Sequence, residues 1–347
     1  MFCIFVRTLI KAIDMKKVFK IGLIITLFLL QSCSIHKSTE AQQLTHFFNK
    51  EEVTIVVTDS GLGGISVAAD LENRIREKGT FKQVNIVFFN ALLANNKGYN
   101  SMKTTKEKVT VFNSALNAMD KKIKPDLVLI ACNTLSVLYD KTAFSKNVKI
   151  PVVGVVDSGV ELINNNLKGI NDSKVLIFAT KTTVNQQSHK NKLLKLGISD
   201  KQIITQACPS LAGKIELNPN GKETKYLVKK YVEESIQKID KKDKNLFVSY
   251  NCTHYPYIDT LFKEAFKKQN ITINKFLNPN PLMVDFIFDK KYANRYKKTN
   301  TSVEVISQAK LLPDEIKSIS NLIRIDSDKT SKALENYSLK TQLFRPY

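Results

Sequence analysis

The stretch most informative about the fold is Val53-Thr-Ile-Val-Val-Thr58, followed at once by Asp59-Ser-Gly-Leu-Gly-Gly64. The first half is a short apolar run of the kind that forms a buried strand, and the second half is a glycine-rich turn that opens a helix at Ile65. Backbone N–H groups in such a turn can face an anion, although glycines also serve packing alone. The stretch therefore predicts a strand–turn–helix unit of an α/β fold.

Similar units repeat along the chain. Further apolar runs predict buried strands, and segments with apolar residues three and four apart predict amphipathic helices between them. The alternation of strand and helix predicts mostly parallel sheets that are covered on both faces. The predicted strands are Val53–Thr58, Val84–Phe89, Leu127–Ala131, Val152–Val156, Val175–Ala179, Ile203–Thr205 and Phe247–Tyr250, and the predicted helices are Ile65–Arg76, Lys106–Met119, Gln186–Leu196 and Tyr226–Ile239.

Two of the predicted strands end in a cysteine that is flanked by Asn and Thr. One strand runs into Ala131-Cys-Asn-Thr134, and the other runs into Asn251-Cys-Thr-His254. Parallel sheets place their ligand sites at the carboxyl ends of strands, where these residues lie. A lone cysteine after a strand is most often a small core residue. Two in equivalent settings indicate a duplicated α/β unit whose halves present Cys132 and Cys252 to a shared cleft.

The N-terminal residues have the pattern of a bacterial export signal. From Met15, an alternative start, a basic segment leads into the apolar run Ile21 to Leu30 and then into Cys33. The run is shorter than the roughly 20 residues of a transmembrane helix, and its end resembles a lipoprotein lipobox, although Gln31 is unusual at its position. We expect residues 1–32 to be a signal peptide and Cys33 to carry lipid, so that the protein is a membrane-anchored lipoprotein of the cell envelope. Ordinary secretion and a retained anchor are the alternatives.

Residues 33–52 are polar and lack sustained periodicity, as expected of a tether between a lipid and a folded domain.

Lys and Arg number 53 against 32 Asp and Glu, which gives a formal net charge of +21. The lysine clusters lie in helical segments without an aromatic ladder, so we interpret them as solvated helix faces. Weak attraction to anionic lipid or wall polymer is the alternative, and no nucleic acid partner is expected.

Length and cysteine usage set further limits. With 347 residues, of which 43% are hydrophobic, the chain is long enough for two α/β domains and is not disordered as a whole. Its five cysteines have neither the density nor the paired spacing of a disulfide scaffold or a zinc site, so each is interpreted singly and no metal is expected.

The ordered motifs of the chain resemble those of the glutamate racemase family, within the aspartate/glutamate racemase superfamily. The strings Asp59-Ser-Gly-x-Gly-Gly64 and Cys252-Thr-His-Tyr-Pro256 are highly specific in this order. The resemblance covers about residues 53–285 and implies two pseudo-symmetric α/β domains, an active site between them, and cofactor-independent racemisation of an acidic amino acid. The other matches are Ala131–Thr134, Pro151–Val155, Ala179–Thr180, Thr183–Val184, Ala207–Pro209 and Ile215–Glu216.

We expect the first domain to comprise residues 53–157 and 280–347, and the second to comprise residues 158–279. Cys132 and Cys252 then come from opposite domains. The expected partners are a small-molecule amino acid and a membrane reached through the lipid anchor, and a homodimer is left open. No cofactor is expected.

The resemblance implies catalytic roles for four residues. Inversion at an α-carbon without a pyridoxal cofactor needs a base on one face and an acid on the other, and thiols suit both roles because their ordinary pKa is about 8.5. By family analogy Cys132 takes the proton from the D-enantiomer and Cys252 takes it from the L-enantiomer. Asp59 and His254 are the matching helpers. Because a carboxylate raises the pKa of a nearby thiol, Asp59 is expected to accept a proton or to pair with the substrate ammonium, whereas protonated His254 can stabilise a thiolate.

A second group of residues is expected to hold the substrate. Small polar side chains near the cysteines, with backbone N–H groups, fit the carboxylates of an amino acid and the charge that develops when the proton leaves. Asp157 stands where the family has a glutamate, which shortens its reach by one methylene. Cys208 is interpreted as a structural thiol. The expected substrate-binding side chains are Ser60, Asn133, Thr134, Thr183 and Thr253.

One stretch departs from the family pattern. The family carries a segment resembling Gly-Asp-Thr-Ala-Arg-x-Pro-Tyr-Gly, whose Pro-Tyr-Gly backbone holds the side-chain carboxylate of the substrate. Here residues 90–98 keep only the last glycine. We expect Lys97 and Gly98 to meet the substrate side chain, with Lys97 supplying a charge in place of backbone amides. The alternatives are that the pocket accepts a different side chain, or that the loop has diverged in sequence without a functional consequence. Gln186 and His189 also depart from the Ser and Tyr that are usual after Thr183–Val184.

The favoured hypothesis is a racemase that converts L-glutamate to D-glutamate for peptidoglycan and cell wall biogenesis. The alternatives are a racemase for aspartate or another amino acid, a non-catalytic envelope lipoprotein that binds an acidic wall-derived ligand, and another thiol-based enzyme of the superfamily. The presence of both cysteines with Asp59 and His254 argues against a non-catalytic role. Export is unusual for such an enzyme, because thiols outside the cytoplasm are exposed to oxidation.

Overall fold

The computed structural model describes residues 40–95, 97–170, 172–240 and 243–346. The chain divides into two compact units, Met1–Asn49 and Lys50–Tyr347. In the first unit, residues 40–49 form a helix, α1. The stretch that we predicted as an irregular tether is therefore partly helical, because Glu, Ala, Gln and Leu at its centre are strong helix formers. The predicted signal peptide and Cys33 lie outside the described residues.

The second unit contains two sheets, and every strand pair in the described residues is parallel. The strands are β1 Glu52–Asp59, β2 Gln83–Asn90, β3 Leu127–Ile130, β4 Val152–Gly154, β5 Ser173–Ala179, β6 Ile203–Ala207, β7 Asn245–Asn251, β8 Lys275–Leu277, β9 Asn300–Ser307 and β10 Ser338–Leu339. One sheet has the order β10-β9-β2-β1-β3-β4, and the other has the order β6-β5-β7-β8. The parallel α/β fold predicted from the sequence is confirmed.

Helices connect the strands, as parallel pairing requires. They are α2 Ile65–Lys78, α3 Thr105–Ala118, α4 Asn133–Ser136, α5 Val155–Leu167, α6 Lys181–Gln186, α7 Ser188–Lys195, α8 Leu211–Leu217, α9 Lys222–Ile236, α10 Asp259–Lys268, α11 Pro313–Ile323 and α12 Asp328–Glu335. A π-helical turn at Met119–Ile123 extends α3, and short 3₁₀ turns lie at Tyr139–Lys141, Phe144–Lys146, Asp200–Gln202, Tyr255–Ile258 and Pro281–Phe288.

The two sheets share one strand order. In the first, β1 lies between β2 and β3, and β3 continues to β4; in the second, β5 lies between β6 and β7, and β7 continues to β8. The order reverses between β1 and β3 and again between β5 and β7, and ligands of open α/β sheets bind at such reversals. Strands β9 and β10 extend only the first sheet.

One apolar core joins the two sheets through α5. It contains Val56 and Ile130 of the first sheet, Ile163 of α5, and Val175 and Phe247 of the second sheet, all buried. The far face of the second sheet has its own core of aromatic side chains, in which Phe178 and Phe262 meet edge to face. Burial on both faces explains why the strands read as continuous apolar runs.

The structure differs from the predicted elements at several places. The strand at Val152 ends at Gly154, and the helix begins at Val155. The helix predicted over Gln186–Leu196 begins at Ser188 and ends at Lys195, because Gln187 takes a left-handed φ of 53° and separates it from the preceding helix, which ends at Gln186. Strands β8, β9 and β10 were not predicted. The first sheet draws its strands from residues 52–154 and 300–339, and the second from residues 173–277, while the proposed domain boundaries stay a prediction.

Candidate active site

The glycine-rich turn after β1 packs closely against residues that follow β7 and against α8. A Cβ atom on Gly63 would collide with Thr253 and with the His254 ring, and one on Gly61 would lie 2.5 Å from the Glu216 carboxylate. The N–H of Leu62 donates to Glu216 Oε1 at 2.6 Å. The turn thus faces an anion, as its sequence suggested, and that anion is a carboxylate of the protein.

Cys132 follows β3 and is buried just before α4. Its sulfur lies 3.1 Å from the Ser60 hydroxyl. Burial raises the pKa of the Cys132 thiol well above its ordinary value, and the Asp59 carboxylate raises it further, although hydrogen bonding to Ser60 acts in the opposite direction. The surroundings therefore favour the protonated thiol at this position.

Asp59 ends β1 and is buried. Its Oδ1 accepts a hydrogen bond from the backbone N–H of Ser60 at 2.5 Å, and its Oδ2 accepts one from the Thr253 hydroxyl at 2.7 Å. The carboxylate therefore connects the end of β1 to the residues that follow β7.

Cys252 follows β7 and is also buried. Its sulfur lies 3.6 Å from Nδ1 of His254, and Nε2 of the same ring lies 2.6 Å from Glu216 Oε1. Burial disfavours a charged imidazole, but the Glu216 carboxylate and the hydrogen bond to Cys252 outweigh it and raise the pKa of His254 well above its ordinary value. In the imidazolium form, Nε2–H donates to Glu216 and Nδ1–H donates to the Cys252 sulfur. A positive charge thus lies beside this thiol.

Both cysteines line one small cavity. Residues that end or follow β1, β2 and β3 line it together with residues that follow β5, β6 and β7. Both amide atoms of Asn133, which lines the cavity, are buried without a hydrogen-bond partner among the described residues. An unpaired buried amide is costly, so this side chain is set to bind a polar ligand. The lining consists of Asp59, Ser60, Asn100, Cys132, Asn133, Thr134, Thr180, Ala212, Cys252, Thr253 and His254.

The cavity brings together eight of the predicted site residues and leaves three outside its lining. Thr183 is buried behind it, with its hydroxyl 3.0 Å from that of Thr180 and 3.5 Å from that of Thr134. Gly98 is half-buried and Lys97 is exposed, and neither is found among the described residues that line the cavity.

Two further residues singled out in the sequence also lie outside the lining. The side chain of Asp157 is 74% exposed and pairs with Lys192, so it points away from the thiols. Cys208 is buried and makes a weak hydrogen bond to a backbone carbonyl, as a structural thiol does.

Sequence reasoning missed four residues of the site. Glu216 stands in a quoted motif, but nothing in the sequence revealed that it pairs with His254. Asn100, Thr180 and Ala212 line the cavity, and of these only Thr180 lies in a quoted motif.

In the described part of the chain, no group of three or more His, Cys, Asp or Glu side chains is arranged to hold a metal ion. No described helix is long and apolar enough to cross a membrane.

Comparisons with known proteins place this chain in a family. The model of the Asp/Glu/Hydantoin racemase family matches residues 67–244, just over half of the chain. The glutamate racemase of Aquifex pyrophilus is 28% identical over 215 residues, which cover 62% of this chain and 74% of that protein.

Solved structures show the same fold. A glutamate racemase from Campylobacter jejuni subsp. jejuni matches with a TM-score of 0.56 at 22% identity, over 78% of this chain and 97% of that one. A glutamate racemase from Francisella tularensis subsp. tularensis SCHU S4, in complex with D-glutamate, matches with a TM-score of 0.57 at 20% identity, over 78% of this chain and 94% of that one. Because the family model matches more than half of the chain, the chain belongs to the Asp/Glu/Hydantoin racemase family.

Proposed function

We propose that this isomerase, an amino-acid racemase, interconverts L- and D-glutamate without a cofactor, using Cys132 and Cys252 as its acid/base pair. The observation that carries the proposal is the shared cavity: two buried thiols follow equivalent strands of two similar sheets and line the same space. Relatives named glutamate racemases support glutamate as the substrate.

The proposed reaction moves one proton on each face of the α-carbon. From L-glutamate, the Cys252 thiolate takes the α-proton, so that the C–H bond breaks, an S–H bond forms, and the electron pair moves into the α-carboxylate. The Cys132 thiol then gives its proton to the opposite face, which restores the C–H bond with inverted configuration. The reverse reaction exchanges the two roles, and microscopic reversibility requires the same groups in both directions.

The surroundings of the two thiols support different roles. The His254 imidazolium places a positive charge beside the Cys252 sulfur, whereas burial and Asp59 raise the pKa of the Cys132 thiol and favour its protonated form. In the reverse reaction Cys132 must lose its proton, and the Ser60 hydroxyl lies between its sulfur at 3.1 Å and Asp59 Oδ1 at 3.4 Å. The substrate ammonium offsets the Asp59 charge while it is bound.

Polar groups of the cavity support the charged intermediate. When the α-proton leaves, negative charge spreads into the α-carboxylate, and donors already in place stabilise it without reorganisation. The unpartnered Asn133 amide and the hydroxyls of Thr134 and Thr253 line the cavity and supply such donors.

Solvent exchange tests this function directly. Purified protein in D₂O with a thiol reductant should replace the α-proton of L-glutamate with deuterium while the optical rotation of the sample decays to zero. Aspartate, alanine and serine serve as comparison substrates. Binding of glutamate without exchange would favour the alternative of a non-catalytic binding protein, and exchange of another amino acid at a higher rate would change the assigned substrate.

We further propose that lipid on Cys33 anchors the enzyme in the cell envelope. The lipobox-like end of the predicted signal peptide supports this proposal. Replacement of Cys33 by Ala should abolish labelling by a fatty acid and release the protein from membranes. Unchanged labelling of the variant would show that Cys33 is not the lipidated residue.

A further inference from the structure

The segment that should meet the substrate side chain lacks the expected charge at the cavity. Lys97, the cation predicted from the sequence, is absent from the cavity lining, while Asn100 from the same segment belongs to it; both side chains are exposed. A dicarboxylic substrate needs a donor at this end, because a poorly paired buried carboxylate is costly. Whether Asn100 can bind this carboxylate depends on whether its amide NH₂ group is free to donate, which its hydrogen bonds determine.

The orientation of the Asn100 amide is set by Thr182. Asn100 Oδ1 accepts hydrogen bonds from the Thr182 backbone N–H at 3.2 Å and from the Thr182 hydroxyl at 2.8 Å. A backbone N–H only donates, so the amide atom that faces it must be the carbonyl oxygen. Among the described residues, the Asn100 side chain makes no hydrogen bond other than these two. Its NH₂ group therefore remains available to donate to a ligand.

Lys108 completes the arrangement from α3. Its ammonium, which is half-buried, donates to the Thr182 hydroxyl at 2.8 Å. That oxygen therefore accepts from Lys108 and gives its own proton to Asn100, which forms a chain of hydrogen bonds that polarises the amide. The positive charge lies behind the Asn100 donor, on the side away from its free NH₂ group.

We propose that Asn100 recognises the side-chain carboxylate of the substrate, and that Thr182 and Lys108 are positioning residues which orient and polarise it. This inference rests on the proposed racemase function. It assigns to one polarised side chain the role that backbone amides have in the related family segment. It also predicts a preference for acidic over neutral amino acids of the same length.

Substitution of Asn100 tests the contact itself. Asn100→Ala should raise KM for glutamate about ten-fold with little change in kcat, and Asn100→Asp should raise it further through repulsion. Norvaline, which has the same carbon chain without the terminal carboxylate, serves as an inhibitor of glutamate exchange. Its inhibition constant should change less than two-fold in both variants. An unchanged KM for glutamate, or an equal weakening of norvaline, would overturn the proposal.

Substitution of Lys108 tests the positioning role. Lys108→Met should raise KM for glutamate several-fold without an effect on norvaline inhibition, and Lys108→Arg should restore most of the affinity. Lys106→Met, an exposed position on the same helix, is the matched control and should behave as wild type. A fall in kcat at constant KM in Lys108→Met would indicate a merely structural role. A loss of glutamate affinity in Lys97→Ala but not in Lys108→Met would return the role to Lys97.

The wild-type enzyme separates this inference from the proposed function. If wild type exchanges no acidic amino acid, the proposed function fails before any variant is measured. If wild type exchanges glutamate and the Asn100 and Lys108 variants keep its KM, only the inference fails.

Discussion

Cys132 and Cys252 hold equivalent places in the two sheets, since each follows the third strand of the shared order. Their electrostatic surroundings are nevertheless opposite. Beside Cys132 lies the Asp59 carboxylate, and beside Cys252 lies an imidazolium that is held by Glu216. Duplication of an α/β unit explains why two thiols meet at one cavity, whereas unequal neighbours give the two thiols different electrostatic surroundings.

This difference is compatible with a reaction that runs both ways. The equilibrium constant of a racemisation in water is one, so kcat/KM must be equal for the two enantiomers whatever the resting state. The asymmetry of the thiols must therefore appear in the pH dependence and in the separate kcat values. Four predictions test how far the two halves differ.

The largest effect is expected from removing either thiol. Cys132→Ala and Cys252→Ala should each lower racemisation in both directions on the order of 10³-fold, because each direction needs one thiol and one thiolate. Binding of glutamate, measured by calorimetry, should remain within a few-fold of wild type. Cys208→Ala, at a buried thiol outside the cavity lining, is the control and should retain turnover. Racemisation that survives either cavity substitution would disprove the paired mechanism.

The second prediction concerns the carboxylate beside Cys132. Asp59→Asn should lower turnover on the order of 10²-fold because a proton acceptor is lost. At the same time the pKa of the Cys132 thiol should fall, since a negative neighbour has been removed, although burial still holds it above the ordinary value. Alkylation by iodoacetamide as a function of pH, with Cys252 replaced by Ala, measures this change. Slower alkylation of Cys132 in Asp59→Asn would contradict the electrostatic interpretation.

The third prediction concerns the ion pair beside Cys252. Because Glu216 raises the pKa of His254, the imidazolium persists above the ordinary range, and its stabilising contribution is lost only as pH rises through that raised pKa. Glu216→Gln should lower the pKa of His254, so that the alkaline limb of the kcat/KM profile moves to lower pH. The rate at alkaline pH should fall about ten-fold and recover partly on acidification. The same profile in wild type and variant would show that His254 does not need the pair.

The smallest effect is expected at Ser60. Its hydroxyl is 3.1 Å from the Cys132 sulfur, and the hydrogen bond partly offsets the effects that keep the thiol protonated. Ser60→Ala should therefore reduce kcat a few-fold, and more for D-glutamate than for L-glutamate, because the D-enantiomer requires the Cys132 thiolate. Initial rates by circular dichroism with each enantiomer measure this ratio. A larger loss with L-glutamate would reverse the assignment of the two cysteines.

Local residue patterns were sufficient to predict the parallel α/β fold and the places of the two thiols. Apolar runs such as Val53–Thr58 and the glycine-rich turn after them are local features, and their strand and turn conformations follow from nearby residues alone. The carboxyl end of a parallel strand is also a local position, so Cys132 and Cys252 were correctly expected at a common cavity. The roles assigned to these residues remain predictions until the variants are measured.

The partners that surround the thiols could not be predicted in this way, because they come from distant parts of the chain. Glu216 reaches Leu62 across 154 positions of sequence and His254 across 38, and Asn100 reaches Thr182 across 82. Such contacts depend on how two sheets pack around a shared core, which no local pattern encodes. For the same reason the sequence pointed to Lys97, while the fold brings Asn100, backed by Lys108, to the cavity. A short segment of chain specifies its own backbone, but the charge beside a buried group is set by residues that only the folded packing brings there.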